Sequence, residues 1–242
     1  ALAAGSTCIG NLGQYFTFRL PDWDDDIDCT RATVTALGLA AAQDREILVH
    51  SNLDDGFAAQ FTDMTSALGA VLIEKRLVEE LCGAGASHCF GHHFTDPLPR
   101  LGFQTALAEL NPTPGSMIYG ATMGYRGDEV ENYAALASYL SMDILSQKFT
   151  PSGHAINPVP VTENSRIPDI GEVIDAQRFA IRLVEGFDGA DGLIDPDRLD
   201  DFASRLVEGA RRFEENLNRG LRDRGYDLDD PAELMLCLRR LG

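Results

Sequence analysis

The sequence predicts an α/β fold, read as part of a (β/α)8 barrel, about strands four to eight, with a C-terminal helical appendage. Three observations carry that expectation. A short apolar strand, a Gly-rich or polar turn and a long amphipathic helix alternate five times. Polar residues gather just past every strand, as they do around the mouth of a barrel. No G-x-G-x-x-G follows the first strand and no G-x-x-x-x-G-K-[ST] occurs, so the common nucleotide-binding open sheets find no support.

The strands are expected near Ser6–Ile9, Glu46–His50, Ser87–Phe90, Ser116–Tyr119 and His154–Asn157. Their helices are expected near Asp28–Ala42, Phe61–Leu81, Arg100–Leu110, Glu129–Leu145 and Ile170–Val184. In the fourth helix Val130, Tyr133, Ala134, Ala137, Leu140, Ser141 and Ile144 recur at three- and four-residue steps, which marks one buried face. Strict alternation implies parallel strands joined by right-handed crossovers. Residues 1–186 are therefore taken as the barrel domain. Residues 187–242 form the appendage, with an Asp- and Gly-rich spacer at Phe187–Asp197, a helix over Arg198–Arg224 and an amphipathic run at Ala232–Leu241. The chain opens at Ala1 without Met and has three units fewer than a full barrel, so a piece of a longer protein is expected.

Composition narrows the function classes. A net charge of −18 argues against nucleic acid or an anionic membrane as partner, since both demand clustered Lys and Arg. No apolar run approaches the roughly 20 residues of a membrane span. The five cysteines form an odd set without C-x-x-C, which points to a reducing cytoplasm.

Several segments carry chemistry. His88-Cys89-Phe90-Gly91-His92-His93 invites a zinc reading, but alternation along a strand splits these side chains between two faces. Polar lining of a pocket, with His92 or His93 at its mouth, is preferred to a metal site. His50 with Asn52, Asp54 and Asp55 ends the second strand and offers acid–base groups. Tyr125 precedes Asp128 and Glu129, whose charges suit the positive end of the helix they open. The loop from Asn157 to Asp169, stiffened by Pro158, Pro160 and Pro168, presents Thr162, Glu163, Asn164 and Arg166.

The order of elements and these short motifs resemble the large catalytic subunit of glutamate mutase (methylaspartate mutase), an adenosylcobalamin-dependent family. The segments that carry the resemblance are Glu163 four residues before Ile167-Pro168, the run Val184-Glu185-Gly186 closing the helix, Tyr125 ahead of Asp128-Glu129, and Pro21. The resemblance implies a radical 1,2-rearrangement of a small carboxylic acid. It implies cofactor contacts at Glu163, Ile167, Tyr125 and Pro21; Asn157, just past the fifth strand, is a further cofactor-binding candidate, and Gln14, Tyr15 and His92, also past strand ends, are the catalytic candidates. It also implies a separate small cobalamin-binding subunit, since D-x-H-x-x-G is absent from this chain, and an oligomeric intact enzyme. The family's lysine before the acidic residue and its substrate-contacting glutamate and paired tyrosines are not reproduced. Two rivals stay open: a metal-dependent barrel lyase or hydrolase using His88, His92, His93 and Asp54, and a non-catalytic barrel that binds a partner.

Overall fold

The computed structural model describes residues 1–10, 25–53, 63–91, 96–153 and 156–241. Four strands are present among them: β1 (Cys8–Gly10), β2 (Leu48–Asn52), β3 (Gly85–Phe90) and the two-residue β4 (Met117–Ile118). The sheet order is β1-β2-β3-β4, and the β1–β2 and β2–β3 ladders are parallel. Seven α-helices accompany them: α1 (Asp26–Ala41), α2 (Met64–Lys75), α3 (Pro97–Leu110), α4 (Glu129–Phe149), α5 (Ile170–Gly186), α6 (Pro196–Asp223) and α7 (Pro231–Leu241). The chain continues from α2 through a π-helical turn at Arg76–Leu81.

Aspartates open six of these helices by accepting backbone N–H groups that have no partner within the helix, Asp195 and Asp230 among them at α6 and α7. Asp25 takes Ile27 N–H and Asp63 takes Ser66 N–H. Asp128 and Asp169 go further, each forming a reciprocal box with a glutamate, Glu131 or Glu172, three residues on.

The chain divides into two compact units. The first comprises Ala1–Cys89, Leu110–Ser116 and Leu206–Gly242. Its core is built from Ile47, Val49, Leu68, Ile73, Leu77, Leu221, Leu234 and Leu238. Gly69 lets α2 meet Phe213 of α6, where any added methyl group would collide with that ring. The second unit comprises Phe90–Glu109 and Met117–Arg205. There Leu136, Tyr139 and Leu140 of α4 pack with Ala121, Tyr125, Val161 and Ala180. Phe90 and Phe103 meet edge to face at 4.9 Å.

The barrel expectation is overturned. The sheet runs in one open order and does not close on itself among the described residues. The strand expected at His154–Asn157 does not form at Ile156 and Asn157, and residues 154–155 lie outside the described set. The physical reason is visible in the backbone accounting. Tyr139 Oη accepts from Val159 N–H at 2.8 Å and donates to Asn157 O at 3.3 Å. Tyr125 Oη donates to Val159 O at 2.8 Å, and Asn132 Nδ2 donates to Val161 O at 3.0 Å. Groups that a fifth strand would offer to a ladder are consumed by side chains, and Pro158 and Pro160 have no N–H to give. With the barrel goes the structural basis of the glutamate mutase resemblance. A closed mouth ringed by eight strands is what that chemistry needs to shield a radical, and the described residues build an open, mostly helical α/β structure instead.

Candidate functional site

Register determines which polar side chains share a face. His50 stands opposite Ser87, Ser51 opposite His88, and Asn52 opposite Cys89. Since successive residues alternate, Ser51 and His88 lie on one face and His50 and Ser87 on the other. The crossovers step one strand at a time in the same direction, so right-handedness puts α1 and α2 together on the Ser51–His88 face.

That helix-covered face holds a sealed polar network. Ser51 Oγ donates to Glu74 Oε1 at 2.8 Å, and Glu74 Oε2 lies 3.0 Å from His88 Nε2. This last approach is off the line of an aligned hydrogen bond and acts as an electrostatic contact. Asn111 orients the ring from the other side. Its Oδ1 accepts from Thr113 N–H at 3.2 Å, which leaves Nδ2 to donate to Ala86 O at 2.9 Å and to His88 Nδ1 at 2.7 Å. An amide nitrogen can only donate, so His88 Nδ1 accepts and the ring hydrogen sits on Nε2, facing Glu74. Glu74 and His88 are 1% and 0% exposed, so no ligand reaches them. The network pins β2 and β3 to α2 and to the segment after α3, and its role is architectural.

The opposite face is exposed at Cys8 and Gly10, half-buried at His50 and buried at Asn52, Ser87 and Cys89. It carries Cys8 and Gly10 of β1, His50 and Asn52 of β2, and Ser87 and Cys89 of β3. His50 Nδ1 and Ser87 Oγ are 2.7 Å apart. Ser87 is fully buried, and a buried hydroxyl hydrogen needs an acceptor. Donation to His50 Nδ1 supplies one and puts the imidazole hydrogen on Nε2, which has no hydrogen-bond partner among the described residues. Burial, reinforced by the neighbouring His88 and opposed by Glu74, pushes the His50 pKa below its usual range, so the ring is neutral at pH 7. Beside it, a Cβ built on Gly10 would meet no atom of the described residues within 4 Å, its own chain neighbours aside. The result is a neutral N–H donor, half-buried and fixed in tautomer, near the carboxyl ends of parallel strands and beside Gly10, whose added Cβ would meet none of the described residues. Ligands of open α/β sheets bind at that end.

The residues singled out from sequence are scattered with respect to this site. Gln14, Tyr15, Pro21 and His92 lie outside the described residues, as do Asp54, Asp55 and His93. Tyr125 is buried rather than exposed, and its backbone O accepts from Asn164 Nδ2 at 3.0 Å. Burial beside Tyr139 raises its pKa strongly. Asn157 is half-buried, with its backbone O held by Tyr139. Glu163 is exposed, and Ile167 is 91% exposed. On the same loop Arg166 grips Glu172 with both guanidinium arms, at 2.8 and 2.6 Å, and thereby lowers the Glu172 pKa. Tyr125, Asn157, Glu163 and Ile167 do not build a pocket for a corrin: the one aromatic ring is consumed in the core and the apolar Ile167 stands in solvent.

A cobalamin-dependent mutase therefore has no structural footing here, and the two barrel-based rivals fall with the barrel. Among the described residues no three His, Cys, Asp or Glu side chains converge as metal ligands. Sequence reasoning missed Ser87, Glu74 and Asn111. Glu74 had a signal, since it is a carboxylate ending the apolar run Ala67–Ile73 of a helix. No described helix is long and apolar enough to cross a membrane. The chain matches no protein-family model, and neither curated proteins nor solved structures include a significant match.

Proposed function

We propose that this α/β chain binds a small carbonyl compound at the partly exposed edge of its sheet around Gly10 and His50, with His50 as the recognising group. The observation that supports this reading is the Ser87–His50 pair, which leaves a neutral Nε2–H donor without a hydrogen-bond partner among the described residues. A neutral N–H donates to a ketone, amide or carboxyl oxygen without demanding charge. The small carboxylic acid expected from the sequence is the charged member of that class, and a chain of net charge −18 disfavours it at low salt. We place the protein in the cytoplasm, a reading supported by five cysteines none of which forms a disulfide.

Calorimetric titration with a panel of small carboxylates and their amides tests the proposal. At least one member should bind the wild-type protein. His50→Gln should weaken it by roughly tenfold, the worth of one hydrogen bond of about 1.4 kcal/mol. Absence of binding across the panel, or equal affinity in the variant, would remove His50 from any recognition role.

A further inference from the structure

Helices α1 and α7, both in the first unit, leave a cleft of about 570 Å³ between them. Each helix is anchored to the core by a different face: Cys29, Thr33 and Leu37 of α1 and Leu234, Cys237 and Leu238 of α7 are buried. The cleft is lined by Ile27, Thr30, Val34 and Thr35 on one side and by Ala232 and Leu236 on the other. Ile27, Thr30 and Val34 follow one another at three and four residues and so share one stripe of α1. Thr30, Val34, Thr35 and Ala232 are short, and short side chains leave the gap between the helices unfilled. Small-molecule pockets span roughly 300–1,000 Å³ and combine an apolar lining with a few polar groups, which is the make-up found here.

The charges at the cleft identify the class of ligand. Arg31, Arg240 and Glu233 line it, an excess of one positive charge on a chain of net charge −18. Arg240 is exposed and forms no ion pair among the described residues. Arg31 meets Asp28 at 2.9 Å with both side chains well exposed, and such a surface pair yields readily to another anion. Glu233 is engaged elsewhere, its Oε1 accepting from Asp227 N–H at 3.0 Å. Seven residues of helix also separate it from Arg240, which puts about 10 Å between them. Asp26, the first residue of α1, pairs with Arg239 at 3.5 Å, so Arg240 stands at the end of the cleft where α1 begins.

We propose that this cleft binds a medium-chain aliphatic carboxylate, with its apolar body between Val34 and Leu236 and its carboxylate on Arg31 and Arg240. Burial of the hydrocarbon supplies most of the affinity. Charge-assisted hydrogen bonds to the two guanidinium groups offset, at short range, the repulsion that an acidic chain exerts on an anion. The cleft shares no residue with the sheet edge at His50.

Calorimetric titration of the 242-residue chain with octanoate and with octanamide is the test. Octanoate should bind at one site, roughly tenfold more tightly than the neutral amide. Val34→Trp fills the cleft and should abolish binding of both, with a melting curve to check that the fold is kept. Arg31→Gln with Arg240→Gln changes two exposed positions, so it reports on binding even where the tryptophan variant does not fold. That pair should bring octanoate down to the affinity of octanamide. His50→Gln should leave both affinities in place, which separates this cleft from the sheet edge. Absence of octanoate binding would overturn the proposal. So would wild-type affinity in a folded Val34→Trp protein, a preference for octanoate that survives loss of both arginines, or a loss in His50→Gln.

Discussion

Arg100 of α3 and Asp143 of α4 form a buried, two-pronged ion pair. Nε to Oδ1 is 2.7 Å and Nη2 to Oδ2 is 2.8 Å. The guanidinium also donates to Tyr119 O at 2.7 Å and stacks 5.0 Å from the centre of the Tyr139 ring. With Arg100 at 1% exposure, this pair ties α3, α4 and the end of β4 together inside the second unit.

Removing one partner leaves the other charge buried and uncompensated. Arg100→Ala or Asp143→Ala should each lower stability in urea by about 3–5 kcal/mol. Replacing both with Met and Leu should cost clearly less than either single change, because no charge is stranded. Arg100→Lys should not rescue, since an ammonium cannot serve two carboxylate oxygens and stack on Tyr139 at once. Additive losses in the double variant would show that the two residues are not coupled.

Asn111 is the keystone of the polar network in the first unit. Asn111→Ala strips partners from Ala86 O, His88 Nδ1 and Thr113 N–H together. A loss of about 2–4 kcal/mol is expected, from the unsatisfied groups left in the core. Asn111→Asp should be comparably harmful despite its matching shape, because a carboxylate cannot donate to Nδ1 or to Ala86 O. Equilibrium denaturation of the two variants checks this, and an Asp variant as stable as wild type would refute the assigned tautomer.

His50 makes stability depend on pH. Its folded pKa lies below the ordinary 6.5, so between those values the unfolded chain binds the proton more readily than the folded one. Stability from this site is therefore complete above pH 6.5 and declines as the pH falls below it. His50→Gln should flatten that part of the profile relative to wild type while leaving the acid limb due to carboxylates. Parallel wild-type and variant profiles between pH 7 and 5 would show that His50 carries no such linkage.

What could be read from the chain alone is whatever depends on local pattern. Alternating apolar runs and turns located the first four strands within a few residues and implied their parallel pairing, as the ladders of β1, β2 and β3 show. Asp128 ahead of an amphipathic run marked the start of α4, and the apolar run from Ile170 marked that of α5. Closure and the site depend on partners distant in sequence. Whether residues 156–161 join a ladder is decided by Tyr125, Asn132 and Tyr139, whose side chains reach that backbone across 18 to 34 residues. No periodicity encodes a hydroxyl that takes the place of a neighbouring strand. The two histidines make the same point: His50 and His88 look alike as strand residues, yet His88 is sealed against Glu74 and His50 is half-buried against Ser87 on the other face. That difference comes from register and from which face the helices cover, and both are properties of the folded chain.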